Sequence, residues 1–211
     1  MKDKQQKRRL APDEREQEIV RGAVSFFAEF GFEGQTRELA KRLGITQPLL
    51  YRYFPNKEAL VERVYQEGFV RRWNPFWEDV IKDRNRPLED RLREFYRDYS
   101  DAILTYEWVR LFMFSGLKGL DFNARYLGLL KERIFSLIID ELRHEHGKRP
   151  VSEVAASPME VEAVWGLHAA IFYLGVRKFI YNLPVNDIKG VVEMELRVFL
   201  HGVRAAMPAE A

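Results

Sequence analysis

Apolar residues recur every three or four positions along nearly the whole chain. Such spacing is typical of helices that bury one face, whereas a half-buried strand alternates apolar and polar residues. No convincing stretch of strict alternation bounded by hairpin signals is present. The sequence therefore predicts an all-α protein.

Start and stop signals indicate where these helices lie. Asp13 is expected to cap the first helix, which ends before Gly31. The sequence Ser157-Pro158-Met159-Glu160 combines a capping Ser, a Pro at the first helical position and a Glu at the third, so it marks the clearest start. Residues 147–157 are predicted to form a loop. The other predicted helices are 36–43, 47–54, one that follows Asn56 as N-cap, 88–104, 106–115, 121–146, 158–181 and 187–205.

Composition excludes several classes of function. The chain has 211 residues, of which 46% are hydrophobic, so it can bury a substantial core. Because it has no cysteine, it cannot form disulfides, thiolate metal sites or a thiol nucleophile. No apolar secretory signal is visible at the N-terminus, and the longest uncharged run, 163–176, is shorter than the roughly 20 residues that span a bilayer. We therefore expect a soluble, cytoplasmic protein without a membrane partner.

Residues 36–54 have the size and punctuation of a helix-turn-helix, with two short helices separated by a turn at Gly44. Spacing alone is weak support, because any short helical hairpin looks similar. Charge strengthens the interpretation, since residues 34–57 contain five basic residues and one acidic residue, and the first ten residues contain the same excess. The whole chain has a net charge of only +2, so positive charge is concentrated at its N-terminal end. Attraction to phosphate explains this asymmetry.

Four short motifs extend this observation, namely Leu39-Ala40, Gly44-Ile45-Thr46, Leu50-Tyr51-Arg52-Tyr53-Phe54 and Lys57-Glu58-Ala59-Leu60. With these motifs, roughly residues 14–65 resemble the TetR/AcrR family of bacterial transcriptional regulators. The resemblance implies an N-terminal DNA-binding domain whose third helix is the recognition helix. The segment from Gly31 to Leu39 is one residue shorter than the family pattern, and it leaves only Thr36 where the family often has a Thr/Ser pair. The group that caps the second helix is therefore left open.

Residues of the third helix suit contacts with DNA. Thr46 is placed to cap this helix, so its hydroxyl and the free amides of the first turn can bind a phosphate. Gln47 can pair with adenine, and Leu49 can touch a thymine methyl group. The resemblance implies phosphate contacts by Tyr51 and Lys57. The candidate DNA-binding residues are Thr36, Arg37, Thr46, Gln47, Pro48, Leu49, Tyr51, Arg52, Tyr53 and Lys57.

The larger C-terminal part is rich in aromatic residues, which ordinary core packing explains on its own. The resemblance implies in addition that a small effector binds between these helices and shifts the two DNA-reading domains. Arg110, His168 and Arg177 are polar residues within apolar stretches that could orient an apolar or aromatic effector. The candidate effector-binding residues are Tyr99, Trp108, Phe112, Tyr126, Trp165, His168 and Phe172.

The last two predicted long helices are apolar on more than one face. A helix of this kind is buried on two sides, so we expect a homodimer that forms through a four-helix interface. The resemblance points the same way. The predicted domains are a mobile basic arm at 1–12, a helix-turn-helix DNA-binding domain at 13–56, a helical effector-binding and dimerisation domain at 57–205, and a mobile tail at 206–211.

No motif supports an enzyme. His144 and His146 are two positions apart and do not share a helix face, and no Walker loop, GxSxG or GxGxxG motif is present. We therefore predict no catalytic residue, no metal site and no cofactor. The sequence is interpreted as a dimeric repressor that an effector releases from a palindromic operator in double-stranded DNA. The alternative is a helical protein that binds a small molecule without sequence-specific DNA binding.

Overall fold

A computed structural model of the chain describes the backbone of residues 11–206 and the side chains of residues 11–203. Over this range the chain is helical and has no strand, which confirms the predicted all-α class. The helices are α1 (Pro12–Phe30), α2 (Thr36–Leu43), α3 (Gln47–Tyr53), α4 (Lys57–Gly68), α5 (Trp77–Lys82), α6 (Leu88–Ile103), α7 (Tyr106–Lys118), α8 (Phe122–Leu130), α9 (Ser136–Glu145), α10 (Pro158–Phe179) and α11 (Ile188–Ala206). Residues 1–10 of the predicted arm at 1–12 and residues 207–211 of the predicted tail at 206–211 lie outside the described residues.

Of the predicted helix caps Asp13, Asn56 and Ser157, two are confirmed and one is wrong. The Asn56 side chain accepts a hydrogen bond from the Ala59 amide at 2.7 Å, and the Ser157 hydroxyl accepts one from the Glu160 amide at 3.2 Å. Asp13, in contrast, lies inside the first turn of α1, because Pro12 takes the first helical position and starts the helix earlier. The cap of α1 is therefore the backbone of Ala11.

Two elements of the middle region differ from the prediction. The short α5 and a 3-10 turn at Val70–Arg72 were not predicted, because six residues or fewer carry too little periodic signal. The single predicted helix at 121–146 is instead α8 and α9 joined by a π-helical segment, Lys131–Phe135. A π turn changes the apolar spacing by one residue over a single turn, which is too short for the sequence pattern to reveal it.

Helix α1 connects the N-terminal helices to the rest of the chain. Its buried side chains include Ile19, Ala23 and Phe27, and it packs against α2, α4 and α7. In the C-terminal part, α11 packs against α6 and α10, while α10 also packs against α7 and α9. One hydrophobic core continues through both parts. A change of packing in the C-terminal part can therefore reach the N-terminal helices through α7 and α4.

Helix α10 is the one helix in the described part of the chain that is long and apolar enough to cross a membrane. This statement concerns only the length and composition of α10, and core helices of soluble proteins can be equally long and apolar. Within the chain α10 packs against α6, α7, α9 and α11, and 44% of its most apolar window is buried. Its apolar character therefore has an explanation in packing.

Candidate nucleic-acid interface

The turn between α2 and α3 is built by local sequence. Gly44 has a left-handed backbone with φ of 64°, which favours glycine, and its amide donates to the Lys41 carbonyl at 3.1 Å. Two residues later, the Thr46 hydroxyl accepts a hydrogen bond from the Leu49 amide at 3.3 Å. This geometry confirms that Thr46 caps α3. Together the glycine and the cap fix where α2 ends and where α3 begins.

Thr36 does not cap α2, which answers the question that the shortened segment leaves open. The N-cap is Gln35, whose side chain makes no capping hydrogen bond, and Thr36 takes the first helical position. The buried Thr36 hydroxyl lies 2.9 Å from the Tyr51 hydroxyl and accepts from Gln47 Nε2 at 3.1 Å. Thr36 therefore holds α2 and α3 together, and no side chain of α2 covers the amides of its first turn.

The candidate DNA-binding residues differ in exposure. The candidate Thr36 is buried, and so is Leu50, which is not a candidate but belongs to the motif Leu50-Tyr51-Arg52-Tyr53-Phe54. These two side chains pack beneath the exposed residues. Half-buried candidates are Gln47, Leu49, Tyr53 and Lys57. Exposed candidates are Arg37, Thr46, Pro48, Tyr51 and Arg52. Nine of the ten candidates thus present at least part of their side chain to solvent.

Two of the basic residues here are paired with acids on the protein. Arg42 lies 2.5 Å from Glu29, and Lys41 lies 3.8 Å from Glu38. Exposed surface pairs of this kind contribute little to stability. Their positive charge is nevertheless partly neutralised by the chain itself.

The other basic residues of the segment are more available. Arg37 and Arg52 form no ion pair with any described residue, whereas Lys57 places its ammonium group 6.0 Å from the Phe27 ring centre. The charge of Lys57 also contributes to the lowered pKa of Glu33, for which a hydrogen bond from Lys118 is the largest cause. Unpaired positive charge is therefore found on α2 and α3, where a phosphate can approach both helices.

Thr36→Val is expected to lower the free energy of unfolding by about 1 kcal/mol, since it removes the hydroxyl that Gln47 and Tyr51 share. The shape of the side chain is kept, so packing is little changed. Urea unfolding measures the change. Thr36→Ser is the control because it keeps the hydroxyl, and a loss in Thr36→Ser without a loss in Thr36→Val would mean that the methyl group and not the hydrogen bonds is responsible.

A second candidate site lies among the aromatic residues of the C-terminal part. The Trp108 and Phe112 rings stack at 4.8 Å, and Trp108 also lies 5.2 Å from Tyr126 and 5.9 Å from Phe172. All seven candidate effector-binding residues belong to one continuous set of ring contacts, which we call the ring cluster. Its members are Tyr99, Trp108, Phe112, Tyr126, Trp165, His168 and Phe172.

The π-helical segment adds a residue to the ring cluster that sequence reasoning missed. Phe135, at the end of this segment, lies 4.8 Å from Trp165 and 5.7 Å from His168 between ring centres. Single π turns are found often at functional sites, because they reposition side chains within a helix. The irregular backbone is thus next to the candidate effector-binding residues.

Burial keeps the titratable groups of the ring cluster neutral. It lowers the pKa of His168 to about 4 and raises the pKa of Tyr99 well above its usual value. Burial also raises the pKa of Tyr126. No acidic or basic side chain contributes to the pKa shifts of these three groups. The ring cluster is therefore aromatic and without net charge at neutral pH.

Arg110 lies away from the ring cluster, although its position in the sequence suggested an effector contact. Its Nε donates to the Ala28 carbonyl at 2.5 Å and its Nη2 donates to the Glu29 carbonyl at 3.2 Å. A positive charge at these carbonyls stabilises the C-terminal end of α1. Because α7 also carries Trp108 and Phe112, this one helix contacts both the ring cluster and α1.

Helices α10 and α11 expose an apolar surface, which we call the α10–α11 face. On α10 it contains Gly166, Ala169 and Tyr173, and on α11 it contains Met194 and Val198. Val198 is 61% exposed, and a Cβ atom added at Gly166 would meet no atom within 4 Å. Small exposed residues such as Gly166 and Ala169 allow close approach of another helix.

No group of three or more His, Asp or Glu side chains in the described residues could hold a metal ion. The His146 ring nitrogen Nδ1 instead lies 2.6 Å from the Leu142 carbonyl on its own helix. His146 therefore has a contact within the end of α9, and His144 is exposed.

Sequence comparison with known proteins finds matches to the N-terminal helices. Residues 19–64 match the family model described as bacterial regulatory proteins, tetR family. The tetracycline repressor protein class A from transposon 1721 of Escherichia coli is 47% identical over 45 residues, which are 21% of this chain and 21% of that protein. The class C tetracycline repressor of Escherichia coli is 47% identical over 45 residues, or 21% of this chain and 20% of that protein. The chain thus spans about a fifth of the length of these curated relatives.

Solved structures match over most of the chain. A TetR-like transcriptional regulator from Rhodococcus sp. RHA1 has a TM-score of 0.65 at 19% identity, over 92% of this chain and 100% of that chain. A tetR-family transcriptional regulator from Streptomyces coelicolor has a TM-score of 0.63 at 19% identity, over 93% of this chain and 84% of that chain. At such identities the likeness concerns the fold alone. The N-terminal helices thus resemble the tetR family of bacterial regulatory proteins in sequence, and the chain as a whole shares the fold of solved TetR-family structures.

Proposed function

We propose that the protein is a homodimeric, sequence-specific DNA-binding regulator and not an enzyme. It acts as a repressor that a small-molecule effector releases from a palindromic operator. The observation that carries this proposal is the exposed surface of α3, capped by Thr46, beside the unpaired Arg37 of α2 and Arg52 of α3. The matching relatives, which carry the name tetracycline repressor, add support.

Helix α3 is the recognition helix in this proposal and enters the major groove. Gln47 and Leu49 read base edges, while Tyr51, Arg52 and Lys57 contact backbone phosphates. Because Gln47 donates to Thr36 in the chain alone, a contact with adenine replaces an internal hydrogen bond. The open amides at the start of α2, next to Arg37, bind a further phosphate.

Helix α7 carries the effector signal in this proposal. Residues 13–56 form the DNA-binding unit and residues 57–205 form the effector-binding and dimerisation unit. Rearrangement of Trp108 and Phe112 around a ligand moves α7, and Arg110 passes this movement to the end of α1. A ligand can shift the equilibrium between two arrangements only by as much as its affinities for them differ.

Selection from a random duplex library at about 150 mM salt, where charge screening is near physiological, tests the proposal. Recovery of a palindrome with half-sites about one helical turn apart supports a dimer that reads the major groove. If no sequence is enriched, the protein is the small-molecule-binding alternative without sequence-specific DNA binding.

Gln47→Ala and Lys57→Ala are expected to affect DNA binding in different ways. Gln47→Ala reduces the preference at one base position of each half-site by about tenfold, since a base contact carries sequence information. Lys57→Ala weakens binding to all sequences alike. It also reduces the slope of log affinity against log salt concentration by the amount that corresponds to about one phosphate contact per protomer. Titrations of labelled duplexes at several salt concentrations measure both effects.

Lys82→Ala is the control for charge, because Lys82 lies on α5 and pairs with Glu78 at 3.6 Å, away from α2 and α3. Binding by this variant should match that of the unmodified protein. If Lys57→Ala behaves as Lys82→Ala does, the phosphate contact assigned to Lys57 is wrong.

A further inference from the structure

The ring cluster contains polar atoms that find no partner among the described residues. Trp108 is 1% exposed and His168 is 6% exposed, yet neither Trp108 Nε1 nor His168 Nδ1 has a hydrogen-bond partner. Leaving a buried donor or acceptor unpaired is costly, so nearly all such groups in folded proteins are paired. Phe172 contacts both rings, at 5.9 Å from Trp108 and 6.4 Å from His168. Two unpaired polar atoms on rings that share the neighbour Phe172 indicate where a bound molecule supplies partners.

Burial is the one cause of the lowered pKa of His168, so no described acidic or basic side chain acts on this group. The rings that contact Trp108 and His168 are aromatic, and the buried salt bridges of this part of the chain are already closed pairs, Arg91 with Glu141 and Arg143 with Glu160. A charged molecule would lose its hydration here without gaining a counter-charge, which is very unfavourable. A neutral molecule avoids this cost.

We propose that the effector is a neutral, mainly aromatic molecule with a hydrogen-bond acceptor that binds the Trp108 indole N–H. Indole is only a donor, so an acceptor on the ligand is required at this position. At His168 Nδ1 the ligand presents a second polar atom, a donor or an acceptor according to the tautomer of the ring. The word effector rests on the proposed function, whereas the class of ligand rests on the ring cluster alone.

A matched pair of fluorescent probes tests the charge of the ligand. Prodan is a neutral naphthyl ketone, and its analogue with a carboxylate in place of the ketone has nearly the same shape. We expect prodan to bind with a blue shift of emission and the carboxylate to bind at least about 100-fold more weakly. The same comparison between ketone and carboxylate is made with a phenyl pair, which is shorter than prodan, and with a biphenyl pair, which is longer. The proposal is overturned if a carboxylate binds as well as its ketone, or if no ketone binds.

Trp108→Phe tests the hydrogen bond, because it removes the N–H and keeps an aromatic ring. We expect prodan binding to weaken about tenfold. An analogue of prodan that lacks the ketone should lose little affinity, since it cannot accept from Trp108. Equal losses for both probes would mean that Trp108 contributes packing only, and would overturn the assigned contact.

Trp77→Phe is the matched control, because Trp77 is also buried but its indole donates to Asp98 at 2.6 Å. Prodan should bind this variant as it binds the unmodified protein, and thermal unfolding of both variants reports whether they fold. DNA binding is measured separately, without probe. The two tests are independent. If the protein does not bind DNA specifically, the comparison of ketone and carboxylate still tests the class of ligand. If ketone and carboxylate bind equally, the DNA-binding measurement still tests the proposed function.

Discussion

Glu141→Ala is expected to lower the free energy of unfolding by about 3–5 kcal/mol, the cost of leaving one member of a buried ion pair alone. Glu141 is 3% exposed on α9 and binds Arg91 of α6 at 2.7 Å and Arg84 at 2.9 Å. Arg91 is 1% exposed and also donates to the Ile81 carbonyl. Without Glu141, the charge of Arg91 stays buried without a carboxylate. Urea unfolding at neutral pH measures the loss.

Glu94→Ala is the control for this variant, because Glu94 pairs with Arg86 at 2.7 Å where both side chains are largely exposed. Its expected cost is about 1 kcal/mol or less. Replacing Arg91 and Glu141 together by Met should recover most of the lost stability, since no unpaired charge is left. Equal effects of Glu141→Ala and Glu94→Ala would contradict the importance of burial.

The cost of Glu141→Ala should also depend on pH. Burial raises the pKa of Glu141, but hydrogen bonds from Arg84 and Arg91 outweigh burial and bring the pKa below its usual value of 4.5. A carboxylate whose pKa is lower in the folded state stabilises the protein above its unfolded pKa, and this contribution is lost as the pH falls through the folded pKa. The difference between the two proteins should therefore shrink below pH 4.5.

The sequence could predict the helix-turn-helix because each of its boundaries depends on residues close in the chain. Gly44 stops α2, Thr46 caps α3 and Asn56 caps α4, and all three act over no more than four residues. Such local interactions can be recognised from spacing. The aromatic residues that meet in the ring cluster could also be selected from the sequence, because large apolar rings inside helical stretches are usually buried, whereas their contact with an effector stays a prediction.

Contacts between distant residues could not be predicted in the same way. Thr36 meets Tyr51 only because the crossing of α2 and α3 brings them together, and Arg110 meets the carbonyl of Ala28, which is 82 positions away. The sequence shows that Arg110 is polar within an apolar stretch, but this is equally consistent with a ligand contact. Packing of α7 against α1 decides between the two, and one sequence alone does not contain that information.

Val198→Glu is expected to convert the proposed homodimer into a monomer and to weaken operator binding by at least about 100-fold. Each protomer would bring a carboxylate into an interface formed by the apolar α10–α11 face. Burying such charges costs more than the contact gains. A monomer then binds one half-site at a time and loses the gain in effective concentration that a linked second half-site supplies. Sedimentation and duplex titration measure the two effects.

Leu117→Glu is the matched control, because Leu117 is 82% exposed on α7 and lies outside the α10–α11 face. It adds the same charge, so any general repulsion from DNA appears in both variants. The control should stay dimeric and keep its operator affinity within a few-fold. A dimeric Val198→Glu variant with full affinity would mean that another surface joins the protomers, and that the small residues around Ala169 serve some other contact. A monomeric Val198→Glu variant that still binds the whole operator tightly would instead mean that the protein reads DNA without dimerisation. Such binding is unfavourable at a palindromic site, because a single recognition helix contacts one half-site only.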